Sequence, residues 1–195
     1  MTKILVLYYS RNGSTKLLAN QIAKGVESTG AEAMLRTVPP IPDYLSTQPA
    51  VPESGAPFVS QQDLSNCDGL ALGSPTRFGN MAAPLKHFLD STSQAWLKGT
   101  LINKPGCVFT STGSMHGGQE TTLLTMMLPL LHHGMVLCGL PYSEAALHDT
   151  ETGGSPYGAT HVATNHQQAL SEHEKQLAFA QGKRLALLAN QLKGS

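Results

Sequence analysis

The sequence predicts an α/β fold, a doubly wound parallel sheet of five strands with helices on both faces. Three observations predict it. Short apolar runs rich in β-formers recur along the chain and read as strands covered on both sides. Between them lie segments with apolar residues at helical spacing. Several of the strands end in turns rich in glycine and hydroxyl side chains, the order expected when each strand hands over to a crossover helix. At 195 residues the chain suffices for one sizeable core, and a single unit over 1–195 is expected.

The first strand is Lys3 to Tyr9. It runs into Ser10-Arg11-Asn12-Gly13-Ser14-Thr15, and a helix follows with Leu18, Ile22 and Val26 on one face and Gly30 as its stop. A strand, a hydroxyl-rich turn and a helix N-terminus gather unpaired N–H groups and a positive dipole end at one point, which suits a phosphate. Neither the G-x-x-x-x-G-K-[ST] pattern of triphosphate sites nor the G-x-G-x-x-G of dinucleotide sites is present, so a monophosphate fits best. The same hexapeptide is equally compatible with an ordinary loop in which Ser14 caps the helix.

Ala31 to Val38 reads as a second strand, at an edge because Glu32 and Arg36 alternate with apolar neighbours. Pro39 to Gln62 holds half of the chain's twelve prolines and reads as a long loop without secondary structure. Cys67 to Gly73 is the third strand, leading into Ser74-Pro75-Thr76-Arg77-Phe78-Gly79-Asn80, a loop that displays an arginine and an aromatic ring. The next helix has Pro84 in its first turn, with Leu85, Phe88 and Leu89 inward. Trp96, the only tryptophan, reads as a lid on that helix's apolar end.

Gly106 to Thr110 is the fourth strand, and Ser111 to Glu120 is again a hydroxyl- and glycine-rich turn before a helix. That helix carries Leu123, Leu124, Met127, Leu128 and Leu131 and is apolar nearly all round, so it is either deeply buried or packed against another subunit. Pro129 is expected to bend it. His132 and His133 fall in its last turn, where the dipole favours an imidazolium, and Gly134 ends it. Met135 to Gly139 is the fifth strand, followed by a long connection through Gly153 to Ala159. A last helix starts at Ser171 with a Ser171/Glu174 capping box and an inward stripe of Leu177, Leu185, Leu188 and Leu192.

Composition narrows the function. The formal net charge is zero and 13% of residues are charged, without the basic field that nucleic acid or an anionic lipid surface requires. Cys67, Cys107 and Cys138 read as reduced core thiols, and no apolar run approaches a membrane span, so the cytoplasm is expected. His132 and His133 diverge on their helix and His161 with His166 lacks i, i+4 spacing, so no metal site is expected. In the order 2-1-3-4-5 the first, third and fourth strands are neighbours, and their three unusual loops converge in one crevice beyond the carboxyl ends of the sheet.

Leu7-Tyr8-Tyr9-Ser10, Gly73-Ser74-Pro75-Thr76-Arg77-Phe78-Gly79-Asn80-Met81, Ser111-Thr112-Gly113, Gly117-Gly118-Gln119-Glu120, His132-His133-Gly134-Met135 and Gly154-Ser155-Pro156-Tyr157-Gly158-Ala159 together resemble the WrbA family of flavodoxin-like NAD(P)H:quinone oxidoreductases. The resemblance runs in order over nearly the whole chain. It implies a flavodoxin-like homotetramer that binds FMN without a covalent bond and passes two electrons from NADH or NADPH to a quinone in a ping-pong scheme. By position, Ser10, Arg11, Asn12, Gly13, Ser14 and Thr15 would hold the FMN phosphate. Pro75, Thr76, Arg77, Phe78 and Gly79 would meet the isoalloxazine, largely through backbone. Ser111, Thr112, Gly113, Ser114, Met115, His116 and Gly117 would close over its other edge.

His132 matches the family histidine near the flavin; it would protonate a quinone oxygen or merely end its helix. Trp96, with Asn12 and Phe78, would border the substrate pocket. Residues 39–62 and 139–166 fall where the family exceeds short flavodoxins and would build the oligomer and the pocket wall. Two departures stand out: Asn12 occupies a position where several relatives carry tyrosine, and the loop with Ser114-Met115-His116 is one residue longer than the common spacing. An electron carrier, an FMN or azo reductase and a flavin-binding regulatory protein share the same fold and are the alternatives.

Overall fold

The structure, a computed structural model, describes residues 1–41, 51–52, 54–164 and 168–193. β1 (Lys3–Tyr8) leads into α1 (Ser14–Glu27), and β2 (Glu32–Thr37) into α2 (Gln61–Asn66). Then come β3 (Gly69–Arg77), β4 (Asn80–Met81), α3 (Ala83–Asp90) and α4 (Ser93–Leu97). β5 (Pro105–Thr112), α5 (Gln119–His132), β6 (Val136–Leu137), α6 (Ala146–Asp149), β7 (Thr160–Val162) and α7 (Glu172–Lys193) complete the chain. The sheet runs β2-β1-β3-β5-β6. Counting only the five strands read from sequence, this is the expected 2-1-3-4-5, and all pairings along it are parallel.

Side chains alternate across the strands as a two-sided core demands. Ile4, Val6, Tyr8, Cys107 and Phe109 face α1 and α7. Leu5, Leu7, Leu70, Leu72 and Val108 face the other way, onto Leu64 of α2, Leu85 and Leu89 of α3, and Leu123, Met126 and Leu130 of α5. The last helix begins as expected: the Ser171 hydroxyl accepts from the Glu174 amide at 3.2 Å and the Glu174 carboxylate from the Ser171 amide at 2.8 Å.

The chain departs from the sequence reading in three places. The long loop ends sooner than expected, because Ser60 and Asp63 form a capping box that starts α2 at Gln61; the Ser-x-x-Asp spacing is the cue. Within that loop Pro57 to Val59 lies along the edge of β2, where Thr37 donates to the Pro57 carbonyl at 3.0 Å and Val59 to the Thr37 carbonyl at 2.8 Å. Residues 42–50 and 53 of this loop, like 165–166 of the second insertion, lie outside the described residues.

The third strand runs on to Arg77 and folds back into β4 through a two-residue turn at Phe78 and Gly79, both with positive φ (53° and 76°). The fifth strand position is divided between two segments. Only Val136 and Leu137 pair with the start of β5, against Pro105 and Gly106. The other half is filled by β7, whose Thr160, His161 and Val162 pair with Thr110, Ser111 and Thr112. After Cys138 the chain leaves the ladder, and Leu140 donates instead to the Pro156 carbonyl at 3.0 Å.

Candidate functional site

β1, β3 and β5 end side by side, and hydrogen bonds lace their tips together. Tyr9 donates its amide to the Gly73 carbonyl at 3.0 Å. Thr110 donates its hydroxyl to the Ser74 carbonyl at 2.7 Å, and the Ser74 hydroxyl accepts the Ala82 amide at 2.8 Å. Thr15 of α1 and Ser111 of β5 share a buried hydroxyl–hydroxyl bond of 2.9 Å. These bonds bring the three loops into one cleft of about 210 Å³, lined by Ser10, Arg11, Asn12, Ser14, Thr15, Pro75, Thr76, Arg77, Ser111, Thr112, Gly113 and Ala163. Two arginines and no carboxylate line it. Its volume is below the roughly 300–1,000 Å³ typical of a whole small-molecule ligand, which suits the phosphate-bearing end of one.

The phosphate reading can be tested against the alternative of a capped helix. Gly13, not Ser14, is the N-cap of α1; it sits in the left-handed region at φ 92° and carries no side chain with which to cap. The first turn holds no acidic residue. Ser10 gathers the Gly13 amide at 3.1 Å and, more weakly, the Lys16 amide at 3.4 Å. Among the described residues none supplies an acceptor to the amides of Ser14 and Thr15. Two free donors, a dipole end and two arginines around one cleft are what an anion needs, and the residues present therefore fit the phosphate of FMN.

The second and third loops meet through α5. Its N-cap, Gly118, is also left-handed at φ 93° and lacks a side-chain cap; a Cβ there would come within 3.2 Å of the Gly79 Cα. Thr76 and Thr122 bond hydroxyl to hydroxyl at 2.8 Å. The Gln119 side chain holds the turn before α5 by donating to the Met115 carbonyl at 2.7 Å, and Thr112 donates its hydroxyl to the Ser114 carbonyl at 2.8 Å. Gly79, Ser114, Met115, His116 and Gly117 thus border the cleft without lining it. The Phe78 ring is fully exposed, and Phe78 does not line the cleft in one chain.

His132 and Trp96 are not brought to this cleft by the single chain. α5 starts at the cleft and returns antiparallel to β5, and fourteen residues at about 1.5 Å each carry His132 some 20 Å away. There the Trp96 indole, half exposed on α4 rather than closing α3, donates to the His132 carbonyl at 2.8 Å. His133 departs from the expected imidazolium: burial first, then the neighbouring His132 charge, pushes its pKa down, and its Nε2 meets the Thr92 hydroxyl at 3.0 Å. Among the described residues no group of three or more His, Cys, Asp or Glu is placed to hold a metal ion.

A sequence model of the NADPH-dependent FMN reductase family matches residues 2–145, and a curated NAD(P)H dehydrogenase (quinone) of Gluconacetobacter diazotrophicus is 43% identical over 98% of this chain and 99% of its own length. The chain belongs to the NADPH-dependent FMN reductase family. Among solved structures this family member resembles a WrbA-like flavodoxin from Agrobacterium tumefaciens, with 22% identity, TM-score 0.68, and 98% and 99% of the two chains covered. It also resembles flavodoxin 1 of Bacillus cereus, with 15% identity, TM-score 0.61, and 95% and 98% covered. These likenesses establish the flavodoxin-like fold.

One wall of the cleft was not expected from sequence. Ala163 lies just past β7, and its amide donates to the Thr112 carbonyl at 2.8 Å. β7 is held from α7 by Glu174, fully buried, whose carboxylate accepts the amides of Gly153 and Val162 at 2.9 and 3.1 Å and meets His161 Nδ1 at 2.8 Å. Burial alone would raise the Glu174 carboxyl, but hydrogen bonds from His161 and from the amides of Ser171 and Val162 outweigh it and hold the pKa below the usual value. Gln181, two turns further on, accepts the Ala159 amide at 2.8 Å and donates to the Val108 carbonyl at 2.9 Å. The Gly153–Ala159 stretch offered a cue to a compact turn, but nothing local in it marks Ala163.

Proposed function

We propose that the chain binds FMN in this cleft and passes two electrons from NADH or NADPH to a quinone. The observation that carries the reading is the meeting of three strand-end loops around the uncapped first turn of α1. The G. diazotrophicus relative, matched end to end, is named for the same reaction. When bound, the flavin supplies a site that accepts hydride and releases two electrons. The protein's part is to orient and to stabilise charge: the free amides of Ser14 and Thr15 with Ser10 and Arg11 hold the phosphate, the backbone of Thr76, Arg77 and Phe78 borders the ring, and fixed donors in the loop of Ser111 to Gly117 favour negative charge there. Asn12 stands at the mouth of the cleft and would touch donor and quinone. No side chain of the cleft needs to act as a nucleophile, and donor and quinone would use one open face in turn.

The whole of 1–195 is read as one flavodoxin-like unit acting as a homotetramer in the cytoplasm. Support for assembly comes from α5, which leaves Leu124, Leu128 and Leu131 44–56% exposed beside Trp96, Leu97 and Val136, an apolar surface that a partner copy would cover. His132 and Trp96 lie on that surface, so any contact they make with a flavin would come through assembly. Support for the compartment comes from the buried thiols of Cys67, Cys107 and Cys138, none of them in a disulfide; among the described residues no helix is long and apolar enough to cross a membrane.

The test is the initial-rate pattern of the FMN-loaded protein when NADH or NADPH and benzoquinone are varied together. Parallel lines are expected. Intersecting lines, or protein that takes up no FMN, would sink the reading.

A further inference from the structure

Two of the three cysteines stand side by side. The register that pairs Gly106 with Leu137 runs on by one residue to Cys107 and Cys138, and the Cys138 amide donates to the Gly106 carbonyl at 2.9 Å. Neighbouring strands lie about 4.8 Å apart, inside the roughly 4.4–6.8 Å between Cα atoms that a disulfide spans. Both side chains belong to the face of the sheet that α1 and α7 cover, and the two thiols hydrogen-bond to each other. Cys138 is the last rung of its ladder: beyond it the chain turns away, and Leu140 bonds to Pro156 instead. It keeps 8% of its surface exposed, against 1% for Cys107.

The two thiols are not equivalent. The hydrogen bond from Cys107 holds the Cys138 thiol below its ordinary pKa against the effect of burial, and the positive charge of Arg184 adds to it. Cys107 is pushed well above its own ordinary value, by the same bond and by burial. The thiolate therefore forms first at the more open sulfur, and the thiolate is the form that reacts. Cys67 is the contrast. It lies on the opposite face, donates to the Leu64 carbonyl at 3.3 Å, and is pushed up to about 11 by burial.

We infer that Cys138 and Cys107 form a peroxide-sensitive dithiol, in which Cys138 reacts first and Cys107 resolves the product as a disulfide. The Cys138 sulfur attacks one oxygen of hydrogen peroxide: an S–O bond forms, the O–O bond breaks, and the departing hydroxide leaves as water with the thiol proton. The Cys107 sulfur then attacks Cys138: the S–S bond forms, the S–OH bond breaks, and the Cys107 proton leaves with the hydroxide as a second water. Two thiols give up two electrons, and one peroxide is reduced to two waters. A dithiol reductant reverses the change by exchange. Gln181 bonds to Cys107 as well as to Ala159 and Val108, so the pair sits against the tie between β5 and the residue that leads into β7.

The test is a thiol count on the full chain after exposure to hydrogen peroxide and removal of the excess, the protein then being denatured so that every thiol is read. Two of the three thiols should be lost, and dithiothreitol should restore both. Peptide mass spectrometry should find Cys107 and Cys138 joined within one chain, lighter by two hydrogens than the separate peptides, with Cys67 unmodified. In Cys107→Ala the reaction should stop at the Cys138 sulfenic acid, captured by dimedone; in Cys138→Ala no dimedone should be found on Cys107. Retention of all three thiols, earlier loss of Cys67, a disulfide only between chains, or oxidation of Cys138 that dithiothreitol does not reverse overturns the assignment. The wild-type count and peptide map decide the matter even if a variant fails to fold.

Discussion

On one face of the sheet α1 and α7 touch backbone to backbone: a Cβ placed on Gly182 would fall 2.0 Å from the Ile22 carbonyl oxygen, and one on Gly25 2.0 Å from that of Phe179. On the other face α5 buries Leu123, Met126 and Leu130 and leaves Leu124, Leu128 and Leu131 in the open. At the first face the seam between the two helices is closed within one chain, down to polar groups such as Glu174 and Gln181 that bind only backbone and buried side chains. The second has the composition of a core cut in half. The difference teaches where the stability lies: one face keeps the fold and the cleft wall in place, and the other keeps an apolar surface in the open, which under the proposed assembly a partner copy would cover.

The sealed face should be the easier to break. Glu174→Ala leaves the Gly153 and Val162 amides without an acceptor and His161 without its partner. Removing one member of a buried pair costs about 3–5 kcal/mol, so the variant should unfold at markedly lower urea concentration, and an unchanged midpoint would refute the role given to Glu174. The same carboxylate sets a pH dependence. Its folded pKa lies below its unfolded one, so its contribution is complete above the unfolded value and is lost as pH falls through the folded value. The stability of Glu174→Gln should decline less steeply than wild type over that acid window.

Next in size, Gly182→Ala forces a methyl against the Ile22 carbonyl, and the two helices must separate. Overpacking of this kind costs about 1–3 kcal/mol, read as a lower Tm with the secondary structure kept. Smallest in stability is Leu128→Lys on the open face, expected to stay within about 0.5 kcal/mol of wild type. It should nonetheless reduce the assembled size in sedimentation. A variant that remains as large as wild type would show that α5 is not where copies meet.

The sequence was most legible where one segment determines its own structure. The apolar strands, the hydroxyl-rich turns and the Ser171/Glu174 cap are local patterns, and the convergence of the loops followed from strand order. What escaped depends on distant partners. Met135 to Gly139 is as apolar as any strand, yet only two of its residues pair, because β7 arrives from 160–162 to take the other half of that position. Ala163 is an ordinary alanine until Thr112 and α7 fix it at the cleft. His132 lies twelve residues beyond Glu120, and only the antiparallel return of α5 shows that this distance leads away from the site. Glu174 read as a helix cap, which it is; its three further partners, Gly153, His161 and Val162, come from outside the helix.

The divided strand also bears on how the chain is made. Ala163 and β7 close the cleft, yet they are fastened by Glu174 and Gln181 of α7, well beyond β5 in the chain. Domains fold as units as the chain emerges, and one face of β1 and β5 packs on α7, so these strands wait on that helix. The wall of the cleft at Ala163 is complete only once α7 has emerged and packed against β7.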